Sequence, residues 1–367
     1  MKVAVVHDWL DAFGGAEQLL EQILTLYPEA ELYLLADVMA AGPRAPFDRH
    51  RIRTSFIQRL PFAHRHFRRY LPLMPLAIRQ FDLSRYDLIL SSSHCVAKGV
   101  KTRPGQLHLC YCHTPMRYIW DMERDYLHDH AITGVKAVLT RALFHRLRQW
   151  DVRNQGVDRF IANSRFIAER IRACYDRDAT VIYPPVAVEQ FTCCEEKDDY
   201  YVTASRLVSQ KKIGLIVEAF ARMPDRKLVV IGDGPCRNAI QRMAGANVTV
   251  TGHLPLAELK VHLQKARAFV FASLEDFGMV TVEAQACGTP VLAYGQGGSR
   301  EIVRDGETGI FFAEQSVVSI IEAVRCFEAS RERFTPQACH QNAQRFSTAV
   351  FQEAYTDFVN RALAARQ

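Results

Sequence analysis

Short apolar runs alternating with amphipathic stretches organise this chain. Val3 to Val6 is an unbroken apolar run closed by His7, which predicts a parallel strand buried on both faces. Gly14 and Gly15 follow in a loop. Ala16, Leu19, Leu20, Ile23 and Leu24 then recur at i, i+3, i+4, i+7 and i+8, the spacing of one helix face. Further strands are predicted at 31–35, 88–91, 108–112 and 159–162, alternating with helical stretches. That is the rhythm of a parallel sheet covered by helices.

The rhythm breaks at Val181-Ile182-Tyr183-Pro184-Pro185-Val186, where two prolines fix φ and disfavour helix, so this segment reads as a stiff extended linker. It then restarts, with strands predicted at 200–204, 227–231, 248–251, 268–273 and 290–293. Helices are expected at 213–221 and from about residue 280, with a turn at 305–309. A last stripe, Phe351, Ala354, Tyr355, Phe358, Val359 and Ala362, reads as a terminal helix packed on a core, with Ser347 as its N-cap. The expected fold class is α/β, with two Rossmann-like, doubly wound domains facing across a cleft. The expected domains are residues 1–186 and 187–345, with a helix at 346–367 crossing back to the first.

Composition narrows the picture in three ways. No run of about 18 apolar residues occurs, so a bilayer-spanning helix is not expected, and the short, early-charged N-terminus does not resemble a signal peptide. The ten cysteines include no C-x-x-C pair, so reduced, partly buried thiols are expected rather than a metal or redox centre. The acid pairs Asp176-Arg177-Asp178 and Asp121-Met122-Glu123 sit in polar stretches, and no metal is expected. Third, the net charge of +6 is localised. Nine arginines (Arg49, Arg51, Arg53, Arg59, Arg65, Arg68, Arg69, Arg79 and Arg85) and only two acids lie between residues 49 and 90. Interleaved with Phe56, Phe62, Phe67, Leu73 and Leu76, they suit a surface facing anionic lipid. A solvated helical face is the plainer alternative. No motif for nucleic acid accompanies the charge.

Candidate chemistry falls just after strands, where open α/β sheets bind ligands. Glu275-Asp276-Phe277-Gly278-Met279-Val280 bridges a strand end and a helix start, and Glu283 follows within the first turns of that helix. A helix N-terminus carries free N–H groups and the positive dipole end, a natural site for a diphosphate. Arg206 and Lys211, five residues apart on another strand-ending loop, can clamp a diphosphate and neutralise charge on a departing nucleotide. His113 closes the strand at 107–112, in the position of a cleft-facing functional group. Gly14-Gly15 is not a G-x-G-x-x-G, which argues against a dinucleotide enzyme.

Taken together these residues resemble glycosyltransferase family 4, which has the GT-B fold. The resemblance rests on Ser205-Arg206-Leu207 with Lys211, Gly232-Asp233-Gly234-Pro235, Glu275 to Glu283, Gly288-Thr289-Pro290-Val291, Gly297-Gly298, and Glu301-Ile302-Val303 with Asp305 to Gly309. The first half is similar to bacterial mannosyltransferases that build O-antigen and exopolysaccharide. It shares His7-Asp8-Trp9, Gly14-Gly15-Ala16-Glu17, Ser91 to His94 and Tyr111 to Trp120. One departure stands out: the family's usual Lys-Gly pair reads Lys211-Lys212 here.

The resemblance implies a retaining, metal-independent hexosyltransferase that uses a nucleotide sugar as substrate and needs no cofactor. Arg206 and Lys211 would bind the diphosphate, Glu283 the donor ribose and Glu275 a sugar hydroxyl. The backbone of Phe277, Gly278, Met279 and Val280 would meet sugar and phosphates, His113 would contact the donor sugar, and Gly15 would approach the diphosphate. The subgroup favours mannose from GDP-mannose. UDP-glucose, GDP-fucose or dTDP-rhamnose, or a non-catalytic glycan-assembly partner, stay open. The acceptor expected is a glycan, free or polyprenyl-diphosphate-linked, and the location is cytoplasmic, at the inner face of the membrane.

Overall fold

The computed structural model describes residues 1–121, 123, 127, 132–153 and 156–366. Met122 lies outside them, and with it part of the Asp121-Met122-Glu123 reading. The chain divides into two compact units: residues 1–185 together with 351–367, and residues 186–350.

The first unit holds a seven-stranded sheet in the order β3-β2-β1-β4-β5-β6-β7, every recorded pairing parallel. Its strands are β1 (Val3–Leu10), β2 (Glu31–Asp37), β3 (Ile52–Thr54), β4 (Leu88–Ser93), β5 (Leu107–Cys112), β6 (Arg159–Ala162) and β7 (Ala179–Val181). Alternation along β1 places Ala4 and Val6 in one core with Tyr33, Leu35 and Ile89. Val5 points into the other, with Leu32, Leu34, Leu88 and Leu90. The second core receives Leu19, Leu20, Ile23 and Leu24 from the helix Gly15–Leu26, and Phe351, Tyr355, Phe358, Val359 and Ala362 from the terminal helix Thr348–Ala364. The last helix thus joins a core more than 300 residues upstream of it. β3 and β7 escaped the sequence reading because each is three residues long, too short to show a period. β7 also occupies the start of what read as linker.

The second unit repeats the scheme with six parallel strands, β10-β9-β8-β11-β12-β13. These are β8 (Tyr201–Ala204), β9 (Leu228–Ile231), β10 (Val248–Gly252), β11 (Phe269–Phe271), β12 (Val291–Tyr294) and β13 (Gly309–Phe312). β13 follows directly on the predicted turn, whose glycine it takes as its first residue. In each sheet the first strand of the unit is third in the order, and the chain proceeds outward on one side before returning to the other. The strand order reverses beside β1 and β4 in the first unit, and beside β8 and β11 in the second. Crevices at such reversals, outside the carboxyl ends of the strands, are where ligands bind in this class of fold.

Candidate functional site

At the reversal in the second unit, β8 runs into Ser205-Arg206 and β11 into Ser273-Leu274-Glu275. The Ser273 hydroxyl donates to the Gln210 carbonyl at 3.3 Å, tying the two loops together. Lys211 Nζ donates to Glu275 Oε1 at 2.5 Å, with both side chains partly exposed. Arg206 is exposed and has no acidic partner among the described residues. Lys211 and Glu275 thus pair across the two loops, with Arg206 exposed on the first and Asp276 half-buried on the second.

Neighbouring glycines let the backbone close up around these loops. Gly278 has φ 100° and caps the helix Met279–Ala286, whose first N–H groups, those of Met279 and Val280, have no partner within the helix. A Cβ on Gly298 would sit 2.3 Å from the Cα of Phe277, and Gly298 N donates to the Glu275 carbonyl at 2.9 Å. Phe277 is buried, its ring edge-on to Phe346 at 5.5 Å. The Gly232-Asp233-Gly234-Pro235 motif clasps the neighbouring loop: Leu207 N donates to the Asp233 carbonyl, and Cys236 N to that of Leu207.

Lys212, standing where the resemblance expects glycine, takes the left-handed conformation with φ 55°. The loop thus keeps the glycine-type backbone and bears the strain of a side chain in it. Glu283 lies one turn into the helix. Burial pushes its carboxyl up to about 7, against the opposing pull of Lys260.

The first unit's reversal is built differently. Asp8, fully buried, accepts from the backbone N–H groups of His94, Cys95, Val96 and Ala97 at 2.7–2.8 Å. Burial works to raise its carboxyl, but His94, His7 and the His94 amide together hold it below its ordinary value. His113, at the end of β5, is brought to Ser92 on β4, with its Nε2 2.8 Å from the hydroxyl. Burial, then His94 and His7, hold the His113 imidazole well below its ordinary value, so it is neutral near pH 7. His94 stands edge-on to Trp9 at 4.6 Å and 6.3 Å from the His113 ring. Gly15 opens the helix that carries Glu17.

His7, Asp8, Glu17, Ser92 and His94 carried no assigned role in the sequence reading. Their signal was polar residues inside strands buried on both faces, where each needs a partner. Asp176 caps a helix with φ 52°, and Asp178 is exposed. Among the described residues no three metal-binding side chains cluster. No described helix is long and apolar enough to cross a membrane.

Several of the nine arginines are engaged locally, Arg49 among them through hydrogen bonds to His50 and Thr25. Arg51, Arg53 and Arg85 gather around Glu31, while Arg68 pairs with Asp11 and lies over the Trp9 and Phe67 rings.

Two parallel, doubly wound units with ligand crevices at their strand reversals define the GT-B class of fold. The family model Glycosyltransferase Family 4 matches residues 13–190, and Glycosyl transferases group 1 matches residues 191–346. The chain belongs to glycosyltransferase family 4. It is 35% identical over 140 residues to the GDP-mannose-dependent alpha-(1-6)-phosphatidylinositol monomannoside mannosyltransferase of Mycolicibacterium smegmatis, a match covering 34% of this chain and 37% of that one. The chain thus spans little more than a third of the length of that curated relative. Among solved structures, sucrose-phosphate synthase from Thermosynechococcus elongatus superposes with TM-score 0.73 over the whole of both chains at 19% identity. Anabaena HepE in complex with UDP-glucose does so with TM-score 0.69 at 18% identity, over 98% of this chain and all of that one. At those identities the likeness is one of fold.

Proposed function

We propose that this chain is a retaining hexosyltransferase that takes its sugar from a nucleoside diphosphate donor. The observation that carries this reading is the Lys211–Glu275 pair beside unpaired Arg206 at the second unit's strand reversal, next to the helix opened by Gly278. Arg206 and Lys211 neutralise the charge that builds on the departing diphosphate, and the first amides of the helix add donors to the same group. Once phosphate oxygens share Lys211, Glu275 is freed to accept from a sugar hydroxyl. Glu283 takes the ribose hydroxyls, and the family resemblance gives His113 a contact to the donor sugar and Gly15 one to the diphosphate.

With no second carboxylate assigned as nucleophile, retention proceeds by front-face attack. The C1–O bond to phosphate breaks with its electron pair going to the phosphate oxygen. The acceptor oxygen bonds to C1, and its proton passes to that same phosphate oxygen. The reaction needs no cofactor and no metal.

GDP-mannose is the favoured donor, because the Mycolicibacterium relative is named for it. UDP-glucose is the rival, since HepE was captured with it. The acceptor is a glycan, free or polyprenyl-diphosphate-linked. Phe62 and Leu76, 79% and 65% exposed, stand among Arg59, Arg65 and Arg69, a patch suited to the anionic inner face of the cytoplasmic membrane. Arg68, held by Asp11 and two aromatic rings, is less suited to that role. Charge reversal at Arg65 and Arg69 is expected to lower binding to anionic vesicles in a sedimentation assay, with donor hydrolysis unchanged. Unaltered vesicle binding would remove the membrane reading.

The central test is a donor screen with a lipid-linked acceptor mimic, the product's anomeric configuration being read by NMR. Transfer with retention is expected. Absence of transfer from every nucleotide sugar, by folded protein, defeats the proposal. Transfer by the folded chain would equally exclude a non-catalytic assembly partner.

A further inference from the structure

The first unit contains a chain of polar contacts that the donor site does not explain. It begins at Glu17, in the first turn of the helix Gly15–Leu26. Glu17 Oε2 accepts from Gly14 N at 3.0 Å, closing the helix start as a capping-box contact. That contact leaves Oε1 directed at His7 Nε2, 3.6 Å away, in ion-pair range. The His7 side chain is wholly buried, and no hydrogen bond within normal range reaches its Nε2. Its Nδ1 lies 3.1 Å from the Ser92 carbonyl and 3.0 Å from the Ser92 hydroxyl. The hydroxyl in turn lies 2.8 Å from His113 Nε2.

Proton positions along this chain follow from donor and acceptor counts. A carbonyl only accepts, so His7 Nδ1 bears a proton and donates to the Ser92 carbonyl and hydroxyl together. The Ser92 hydroxyl proton then needs an acceptor, and among the described residues the one in reach is His113 Nε2. A neutral imidazole that accepts at Nε2 carries its proton on Nδ1. Among the described residues no protein group meets His113 Nδ1. Two bonds anchor the main chain of the residue: His113 N donates to the Ser93 carbonyl at 2.9 Å, and Asn163 Nδ2 donates to the His113 carbonyl at 3.0 Å.

We infer that His7 and Ser92 act as positioning residues that lock His113 in its Nδ1–H tautomer, presenting a fixed hydrogen-bond donor to an oxygen of the donor sugar. The part of this that concerns the sugar rests on the reading of His113 given above. The tautomer does not. The arrangement makes sense of polar residues in the middle of a buried sheet. Strand register sets His7 opposite Ser92 and Ser92 opposite Tyr111, two residues before His113, so the three groups meet. A donor of fixed direction discriminates an oxygen from an apolar or hydrogen-bearing group at the same place, because a site built for one hydrogen bond rejects a partner that cannot complete it. His113 thus becomes a specificity-determining residue as well as a contact.

The test uses the full-length chain labelled with ¹⁵N-histidine, the tautomer being read from long-range ¹H–¹⁵N correlation spectra. Wild-type His113 is expected to be neutral, with its proton on Nδ1. In Ser92→Ala the Nε2–H form should gain population, and Ser92→Thr should restore the wild-type pattern. Wherever transfer is measured, kcat should fall about 10-fold in Ser92→Ala, with donor KM within about twofold, as expected when a fixed donor loses its orientation. A proton on Nε2 in the wild type, or an unchanged tautomer in Ser92→Ala, overturns the inference. If no nucleotide sugar is turned over, the functional reading falls, while the spectra still decide the tautomer.

Discussion

The two strand reversals share a topology and differ in how their polar groups are satisfied. In the first unit Asp8 is saturated by four backbone amides, and Glu17, His7, Ser92 and His113 hydrogen-bond or pair among themselves, nearly all out of water. In the second unit Lys211 and Glu275 form one partly exposed pair, with Arg206 open beside them. A group already bonded inside the protein is preorganised and holds its direction. A half-solvated ion pair contributes little to stability and is readily exchanged for a charged ligand. On the proposed function, the exchangeable pair suits a leaving group, and the bonded chain suits the fixing of one donor atom.

That division can be broken most severely at Lys211. Lys211→Ala is expected to lower kcat/KM by roughly 10²–10³-fold, the scale of removing one charge-stabilising donor. It should also weaken nucleoside diphosphate binding measured by calorimetry. His113→Ala should lower turnover while leaving that binding within about twofold. Equal losses of nucleotide affinity in the two variants would abolish the distinction.

Glu283 sharpens the comparison through pH. Its folded carboxyl is raised to about 7 from an ordinary 4.5, so the favourable difference is complete below 4.5 and lost as pH rises through 7. Above that point the buried charge costs up to about 3 kcal/mol. Glu283→Gln should therefore stabilise the chain against urea, with a gain that grows from pH 5 to pH 8, while weakening nucleotide binding. A gain independent of pH would show that the carboxyl is not held near 7. The smallest effect is expected at Lys212. Replacing this left-handed residue by glycine should leave transfer intact and change stability by less than about 1 kcal/mol, strain relief being offset by the freer unfolded chain. Loss of transfer in Lys212→Gly would show that the side chain, and not only its backbone, serves the loop.

Most strands and the two-unit plan were legible because fully buried parallel strands are apolar runs and their helices carry a 3.6-residue stripe. The helix Ile213–Ala221 and the buried faces of Gly15–Leu26 and Thr348–Ala364 appear where periodicity put them. Arg206, Lys211 and Glu275 stood out as candidates from residue type and from their place after strands. The arginine-rich segment was misleading in part. Composition counted nine positive charges, but it could not reveal that three surround Glu31 and one is held by Asp11.

Partnership is the property that only folding supplied. Lys211 meets Glu275 across 64 residues, and His7 meets Ser92 across 85. Both meetings follow from a strand order in which a unit's first strand lies beside its fourth. Local periodicity says which residues are strand and which face is apolar. It carries no record of which strand lies alongside or in what register, and one residue of slip would turn His7 and Ser92 to opposite faces. The chain's own pattern therefore determined the family, the two sheets and the candidate residues. The packing of those sheets decided which residues act together and where His113 holds its proton.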